Sequence, residues 1–269
     1  MTFDFYKKTI LVTGAASGIG AYLAMYFYKE GANVILCDIQ INVLHQMTNA
    51  WQEDKFLALS LDVTKIENWN TVINQSIDKF GSIDIGINSA GIIEPSFILD
   101  TPIEYIEKTI DINLKGTIYG SKLLAQHFLE NKRGHIINFG SLASLAAVPG
   151  LSTYCSSKFG VRGFTLTIAQ ELAEYEIAVS LICPDAVKTP MLDYQKDKEA
   201  AIYTFSGNKY LTVNQVGDAV VGVLQSKERE IWLPKDRGIT AVLSSLFPEI
   251  SKILIKILAQ KSKKNQMKW

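Results

Sequence analysis

Short apolar runs alternate along the chain with longer stretches of helical periodicity. The strand-like runs are Thr9–Thr13, Asn33–Cys37, Phe56–Leu61, Ile83–Asn88, His135–Phe139, Ala178–Cys183 and Glu230–Leu233. Each is short and almost continuously apolar, the pattern of a strand covered on both faces. Helical patterns fill the intervals: Ile19–Glu30, Glu67–Phe80, Pro102–Asn131, Thr153–Glu174 and Val213–Gln225. Strands alternating with helices imply right-handed crossovers and a doubly wound α/β fold with a seven-stranded parallel sheet. No internal repeat or flexible linker divides the pattern. Residues 1–238 read as one domain, with a substrate lid at about 190–212, and residues 239–269 read as a C-terminal helical extension.

Within that extension Ile239, Val242, Leu243, Leu246 and Phe247 share one helical face. Pro248 suits a new helix start, and Ile250, Ile253, Leu254, Ile257 and Leu258 share a second face, with Lys252 and Lys256 off it. From Pro248 to Trp269 there are six lysines against one glutamate, although the whole chain carries a formal net charge of zero. Docking on the body or on a second subunit is the plainer expectation for this tail. Attachment to an anionic membrane surface is the functional alternative. Charge balance gives no nucleic-acid signature, and no apolar stretch is long enough to span a bilayer. The N-terminus shows no secretory signal. Three cysteines, without a CxxC spacing, predict neither a disulfide framework nor a zinc site and fit a reducing cytoplasm. The three histidines show no metal-ligand spacing.

The first strand ends in TGAASGIG, Thr13–Gly20, and a helix opens there. Glycines at this point allow a tight turn and let the backbone approach a pyrophosphate, which the helix N-terminus then attracts. Asp38, at the end of the second strand, can accept hydrogen bonds from the adenosine ribose hydroxyls and would repel a 2′-phosphate. Neither Ile39 nor Ser17 supplies a compensating positive charge, so NAD(H) is expected rather than NADP(H). Tyr154 and Lys158 stand four residues apart at the start of a helix and share one face. An ammonium there would lower the phenol's pKa and suit it to proton exchange near neutral pH.

Taken in order, TGAASGIG, Asp62-Val63, NSAG at Asn88–Gly91, Asn113 in DINLKG, Ser141 in FGSLAS and YCSSK at Tyr154–Lys158 resemble the motifs of the short-chain dehydrogenase/reductase family over roughly Lys7 to Leu233. The resemblance implies a dehydrogenase that interconverts an alcohol and a ketone or aldehyde with NAD. It makes Tyr154 the general acid/base, with Ser141 bonded to the same substrate oxygen. Lys158 would bind the nicotinamide ribose, and Asn113 would hold a water that links Lys158 to solvent. Cofactor contacts carried over by the motifs are Gly14, Ser17, Gly18, Ile19, Gly20, Asp38, Asp62, Val63, Asn88, Ala90, Gly91, Tyr154, Lys158, Pro184, Val187 and Thr189. Ser89 departs from the family's usual NNAG, and Asp185 stands where Gly commonly follows Pro184, which puts the local backbone in question. The family's dimer-forming helices match Pro102–Asn131 and Thr153–Glu174, implying a homodimer or homotetramer. Aromatic residues in the lid (Tyr194, Tyr203, Phe205, Tyr210) suggest an apolar small-molecule substrate or simply pack the lid. A non-catalytic NAD sensor or scaffold on the same fold is the rival reading, and the complete Ser–Tyr–Lys–Asn set argues against it. An epimerase or dehydratase is a third, weakened by the lack of a large C-terminal substrate domain.

Overall fold

The computed structural model describes residues 3–207 and 209–247, with Glu249 and Ser262 as isolated positions. The chain alternates strand and helix: β1 (Thr9–Thr13), α1 (Gly18–Lys29), β2 (Asn33–Asp38), α2 (Ile41–Thr48), β3 (Phe56–Ser60), α3 (Ile66–Phe80) and β4 (Ile85–Asn88). The second half continues with α4 (Ile103–Ile110), α5 (Gly116–Asn131), β5 (Gly134–Phe139), α6 (Ser152–Glu171), β6 (Ile177–Pro184), α7 (Pro190–Asp193), α8 (Val213–Ser226), β7 (Glu230–Leu233) and α9 (Lys235–Leu246). The seven strands form one sheet in the order β3-β2-β1-β4-β5-β6-β7. Every pairing is parallel. This is the doubly wound architecture expected from the pattern.

Alternation along the strands divides the core. Ile10 and Val12 of β1 pack on one side with Leu23 and Phe27 of α1 and Val216 and Val220 of α8. Leu11, between them, packs on the other side with Trp69 and Val72 of α3 and Leu124 and Phe128 of α5. A strand buried on both faces has no polar position to spare, which is why β1 reads TILVT and is buried throughout. The order reverses at β1, which neighbours both β2 and β4. Connections leave these two strand ends toward opposite faces, and a crevice opens between them.

Several elements differ from the sequence expectation, each for a local reason. The single helix expected over Pro102–Asn131 is interrupted by a π-helical turn, Asp111–Lys115. That turn rotates Asn113 inward, where its side chain bonds the backbone of Ile92 at both N–H and C=O. β4 begins at Ile85 rather than Ile83 because the Ile83 N–H is donated to His127 Nε2 (2.9 Å), not to a strand neighbour. Helix α2 was not anticipated; it is two turns long and buries only Leu44 and Thr48, too brief a stripe to stand out. The boundary drawn at 238/239 falls inside α9, whose Gly238 lies so close to the Trp232 ring of β7 that a Cβ would meet it. The apolar face expected at Ile250, Ile253, Leu254, Ile257 and Leu258, and the proline start at Pro248, lie outside the described residues.

Among the described residues no helix is long and apolar enough to cross a membrane, and no group of three His, Cys, Asp or Glu side chains could hold a metal ion. Cys37, Cys155 and Cys183 are buried free thiols.

His135, buried on β5, is a thermodynamic marker for this core. Ser180 donates its hydroxyl to the Glu228 carbonyl (2.6 Å), so its oxygen accepts a hydrogen bond from His135 Nε2 at 2.9 Å. Burial, with a lesser push from Lys227, lowers the imidazole pKa to about 4. The unfolded chain therefore binds a proton at higher pH than the native protein does, and stability must fall as pH drops from ~6.5 toward ~4. The expected loss is about 3 kcal/mol across that window. Thermal unfolding of His135→Gln, measured against the parent from pH 7 to pH 4, should show a flatter dependence; parallel curves would contradict this.

Candidate active site

The first glycine turn is built by close approach at the β1–β4 switch. Thr13 Oγ1 accepts from both the Ser89 and Ala90 N–H groups at 3.1 Å, and the Ser89 hydroxyl donates a short bond to the Thr13 carbonyl. The departure at Ser89 thus has a structural role, sealing the two strand ends together. Gly14 takes φ +67, and a Cβ there would stand 2.8 Å from Ala90 Cα. Gly20 abuts the Gly14 carbonyl so tightly that any Cβ would strike it. Bare backbone therefore faces the turn, and Ser17 before α1 makes no side-chain capping bond, leaving the helix N–H groups directed at the crevice.

A cleft of about 270 Å³ follows this turn. Gly14, Ser17, Gly18, Ile19, Gly20, Asp38, Asp62, Val63, Ala90, Gly91 and Thr189 line it, together with Ile39, Gln40 and Leu61, which the motifs did not single out. Asp38 is anchored by two backbone amides, Ala16 N–H to Oδ2 (3.1 Å) and Gln40 N–H to Oδ1 (2.9 Å). Each oxygen keeps acceptor capacity toward the cleft. Asp62 is oriented by Thr64, whose hydroxyl and N–H both bond Oδ1. Turn, helix terminus and fixed carboxylate fit an adenine dinucleotide.

A second cavity, of about 320 Å³, joins the first through Ile19, Ser89, Gly91, Thr189 and Met191, which line both. Ser141, Tyr154, Lys158, Pro184 and Val187 line it. Lys158 is buried, and its Nζ donates to the Phe139 carbonyl at 2.8 Å. That bond ties α6 to the end of β5, just before Ser141. Ser141 caps a short 3₁₀ turn, accepting from Ala143 N–H at 3.1 Å. Burial pushes the Tyr154 phenol up to about 12, against a hydrogen bond from Ser141 that acts downward. Burial also brings Lys158 down to about 8. The expected lowering of Tyr154 by Lys158 is therefore overturned. Lys158 Nζ stands 5.8 Å from the tyrosine ring centroid and donates to the Phe139 carbonyl, and desolvation dominates the phenol.

Two expected residues lie beneath the cavities rather than on their walls. Asn88 donates to Ser121 (3.2 Å) and Asn138 (2.8 Å) in a buried network. Asn113 bonds Ile92 and Ser157 and sits behind Gly91, where a Cβ would be 3.2 Å from its Oδ1 and 3.8 Å from Lys158 Nζ.

The cavity's other walls come from the lid and from α9. Ala143, Val148, Leu151 and Leu192 give an apolar side, while Gln195, Ser206, Arg237 and Ser244 give a polar one. Of the lid aromatics, Tyr203 lines the cavity, whereas Phe205 is fully buried against Tyr210 and packs the lid. Tyr194 and Lys198 both bond Glu94 and each other, latching the lid to the loop after β4. Sequence offered no signal for that latch, because its partners are a hundred residues apart.

Asp185 answers the question raised by its position: it keeps an ordinary negative φ, so glycine is not required there. Its carboxylate lies 2.6 Å from Arg237 Nε, and Arg237 Nη2 donates to Ser206 at 3.0 Å. Burial raises the Asp185 pKa and Arg237 pulls it back.

Comparison with known proteins agrees with the geometry. Residues 8–200 match the family model described as short chain dehydrogenase. A protein of Staphylococcus aureus described as an uncharacterized oxidoreductase is 32% identical over 220 residues, covering 78% of this chain and 95% of that protein. A Staphylococcus saprophyticus protein with the same description is 33% identical over 227 residues, covering 79% and 97%. A crystal structure of a short-chain type dehydrogenase/reductase from Mycobacterium marinum superposes with a TM-score of 0.79 at 25% identity, over 86% of this chain and 95% of that one.

The Asp185–Arg237 pair generates a prediction. Arg237→Met should leave a buried carboxylate without its cation and cost about 1–2 kcal/mol, roughly 2–8 °C in Tm for a chain of this size. Asp185→Gly combined with Arg237→Met should recover most of that. Strictly additive losses in a double-mutant cycle would show the two side chains uncoupled.

Proposed function

The chain belongs to the short-chain dehydrogenase/reductase family, an oxidoreductase family that uses nicotinamide cofactors, and we propose that it interconverts an alcohol and a ketone or aldehyde on an apolar substrate with NAD(H), Tyr154 acting as general acid/base. The observation that carries this reading is a single crevice. A glycine turn and Asp38 stand at one end, and Ser141, Tyr154 and Lys158 at the other, with Gly91 and Thr189 shared between the two parts.

The glycine turn, Asp38 and Lys158 would hold the dinucleotide, which when bound would supply or accept the hydride. The remaining steps fall to side chains of this protein. Ser141 and Tyr154 present hydroxyls to one substrate oxygen, and donors fixed in advance stabilise charge that develops there. Tyr154, kept protonated by burial, gives its proton to that oxygen during carbonyl reduction and takes it back during oxidation. Lys158, using one of its three donors on Phe139, has others for ribose hydroxyls. The apolar wall from Ala143 to Leu151 accommodates the substrate's carbon skeleton and excludes water. We take the enzyme to work in the cytoplasm, which three unpaired cysteines support. We take it to work as a homodimer or homotetramer, its paired helices being α4–α5 and α6.

Tyr154→Phe should lower kcat by roughly 10²–10⁴-fold while NADH affinity, followed by fluorescence titration, stays within about threefold. Because the phenol is protonated at neutral pH, oxidation of a secondary alcohol should gain more than ketone reduction as pH rises from 7 to 10. Full activity of the phenylalanine variant across a substrate panel would overturn the mechanism.

Asp38 sets the cofactor preference. Its carboxylate suits the paired ribose hydroxyls of NAD and opposes a phosphate there. Asp38→Ser should narrow the ratio of kcat/KM with NAD+ to that with NADP+ by at least tenfold, about 1.4 kcal/mol. An unchanged ratio would count against this assignment.

A further inference from the structure

Besides Lys158, the only charged side chains on the described wall of the substrate cavity are Asp185 and Arg237. Asp185 follows Pro184, the last residue of β6, and its N–H is held by the Leu233 carbonyl at the end of β7 (2.7 Å). On the other side of β6 the Gly140 N–H donates to the Ile182 carbonyl (2.8 Å), so Asp185 leaves the sheet at the same end as Ser141. Arg237 reaches it from the first turn of α9. The backbone at Asp185 does not call for this residue, and a buried ion pair is often no more stabilising than well-packed apolar groups of the same volume. Fold stability alone therefore does not account for charge in a wall that is otherwise mostly apolar.

The pair keeps hydrogen-bonding capacity. Arg237 Nε stands 2.6 Å from Asp185 Oδ2, a contact of charge without an aligned N–H bond. Ser206, 3% exposed, accepts from Arg237 Nη2, and among the described residues its own hydroxyl proton finds no acceptor. One guanidinium touches both residues, so a donor on Ser206 and an acceptor on Asp185 stand within its span on the cavity wall. The buried amide nearby is already committed: Gln195 donates to the Met191 carbonyl and accepts from the Thr204 hydroxyl, both at 2.9 Å. Asp185 and Arg237 cancel in charge. A substrate carboxylate would meet Asp185 and an ammonium would meet Arg237, whereas a hydroxyl, at once donor and acceptor, suits the whole set.

We propose that Asp185, Arg237 and Ser206 form a recognition point for a second, uncharged hydroxyl, so that the substrate class is an apolar secondary alcohol, or its ketone, carrying one further hydroxyl. The inference rests on reading the cavity as the site of alcohol oxidation, and it deepens that reading. Ala143, Val148 and Leu151 take the carbon skeleton, and the polar point selects which carbon is presented to Tyr154. A substrate lacking the second hydroxyl leaves the polar set unpaired in the complex, which is how a pocket discriminates most sharply.

Matched pairs of alcohols test it. Each pair is a 2-alkanol and the diol of the same length that carries an additional hydroxyl at the far end, with chains of five to nine carbons. NAD+ reduction is followed and the hydroxyketone product is verified. In the parent the ratio of kcat/KM for diol over alkanol should exceed one and peak at tenfold or more at one chain length. The double variant Asp185→Gly, Arg237→Met should bring that peak to within about twofold of one, and Ser206→Ala should lower it by about three- to tenfold. Both members of a pair are measured on one sample, so any loss of folded protein cancels from the ratio. A parent ratio at or below one at every length would overturn the proposal while leaving alcohol oxidation standing. A peak that survives unchanged in both variants would overturn it as well. No turnover of either member by the parent, with NADH still bound, would defeat the reading of the cavity and this proposal with it.

Discussion

The site depends on one hydrogen bond, from the buried Lys158 ammonium to the Phe139 carbonyl. A lysine so enclosed is costly unless its donors are met, and this one meets a carbonyl left over at the end of a parallel strand. The bond fixes the first turns of α6 relative to the end of β5. Tyr154, one turn earlier on α6, and Ser141, two residues beyond Phe139, thereby line the same cavity. Gly91 lies over the same arrangement: a Cβ there would press on Asn113 Oδ1 at 3.2 Å. Burial lowers the lysine and raises the tyrosine, keeping the phenol protonated; under the proposed mechanism that favours proton donation to a carbonyl oxygen over proton abstraction from an alcohol.

Cofactor cleft and substrate cavity are separate constructions meeting at the switch point. The cleft's key pieces are short local motifs: a glycine turn, a helix terminus and a strand-end carboxylate held by the Ala16 and Gln40 amides. The cavity is built from long-range contacts. Glu94 holds the lid through Tyr194 and Lys198, and Arg237 reaches from α9 to Asp185 and Ser206. On the proposed reading the cofactor end is thus set mainly in the first half of the chain, and the substrate end combines residues around Ser141–Tyr154 with the lid and α9.

That division explains what could be read beforehand. All seven strands were legible as short apolar runs, the inner ones mostly buried and the edge strands β3 and β7 half-buried, and the glycine turn was legible because bare backbone is needed where Gly14 meets Ala90. The π-turn at Asp111–Lys115 was not legible: its cause is the bonding of Asn113 to Ile92, far off in sequence, while local periodicity continues through it. The direction of the Tyr154 shift was misread for a related reason. Helical spacing gave the proximity of Lys158 but not the burial that dominates the phenol. Aromatic composition of the lid likewise could not separate Tyr203, on the cavity, from Phe205, which packs behind it.

Helix α9 joins the two outcomes of this architecture. Its polar stripe is accounted for by the Asp185 carboxylate, a charge that most of the cavity wall is too apolar to tolerate alone. Once Arg237 points inward, the 3.6-residue period obliges the residues half a turn away to point outward, and in this sequence they are Ile239, Leu243 and Leu246. The buried acid beside the reaction centre and the apolar outer surface are therefore consequences of one helix orientation.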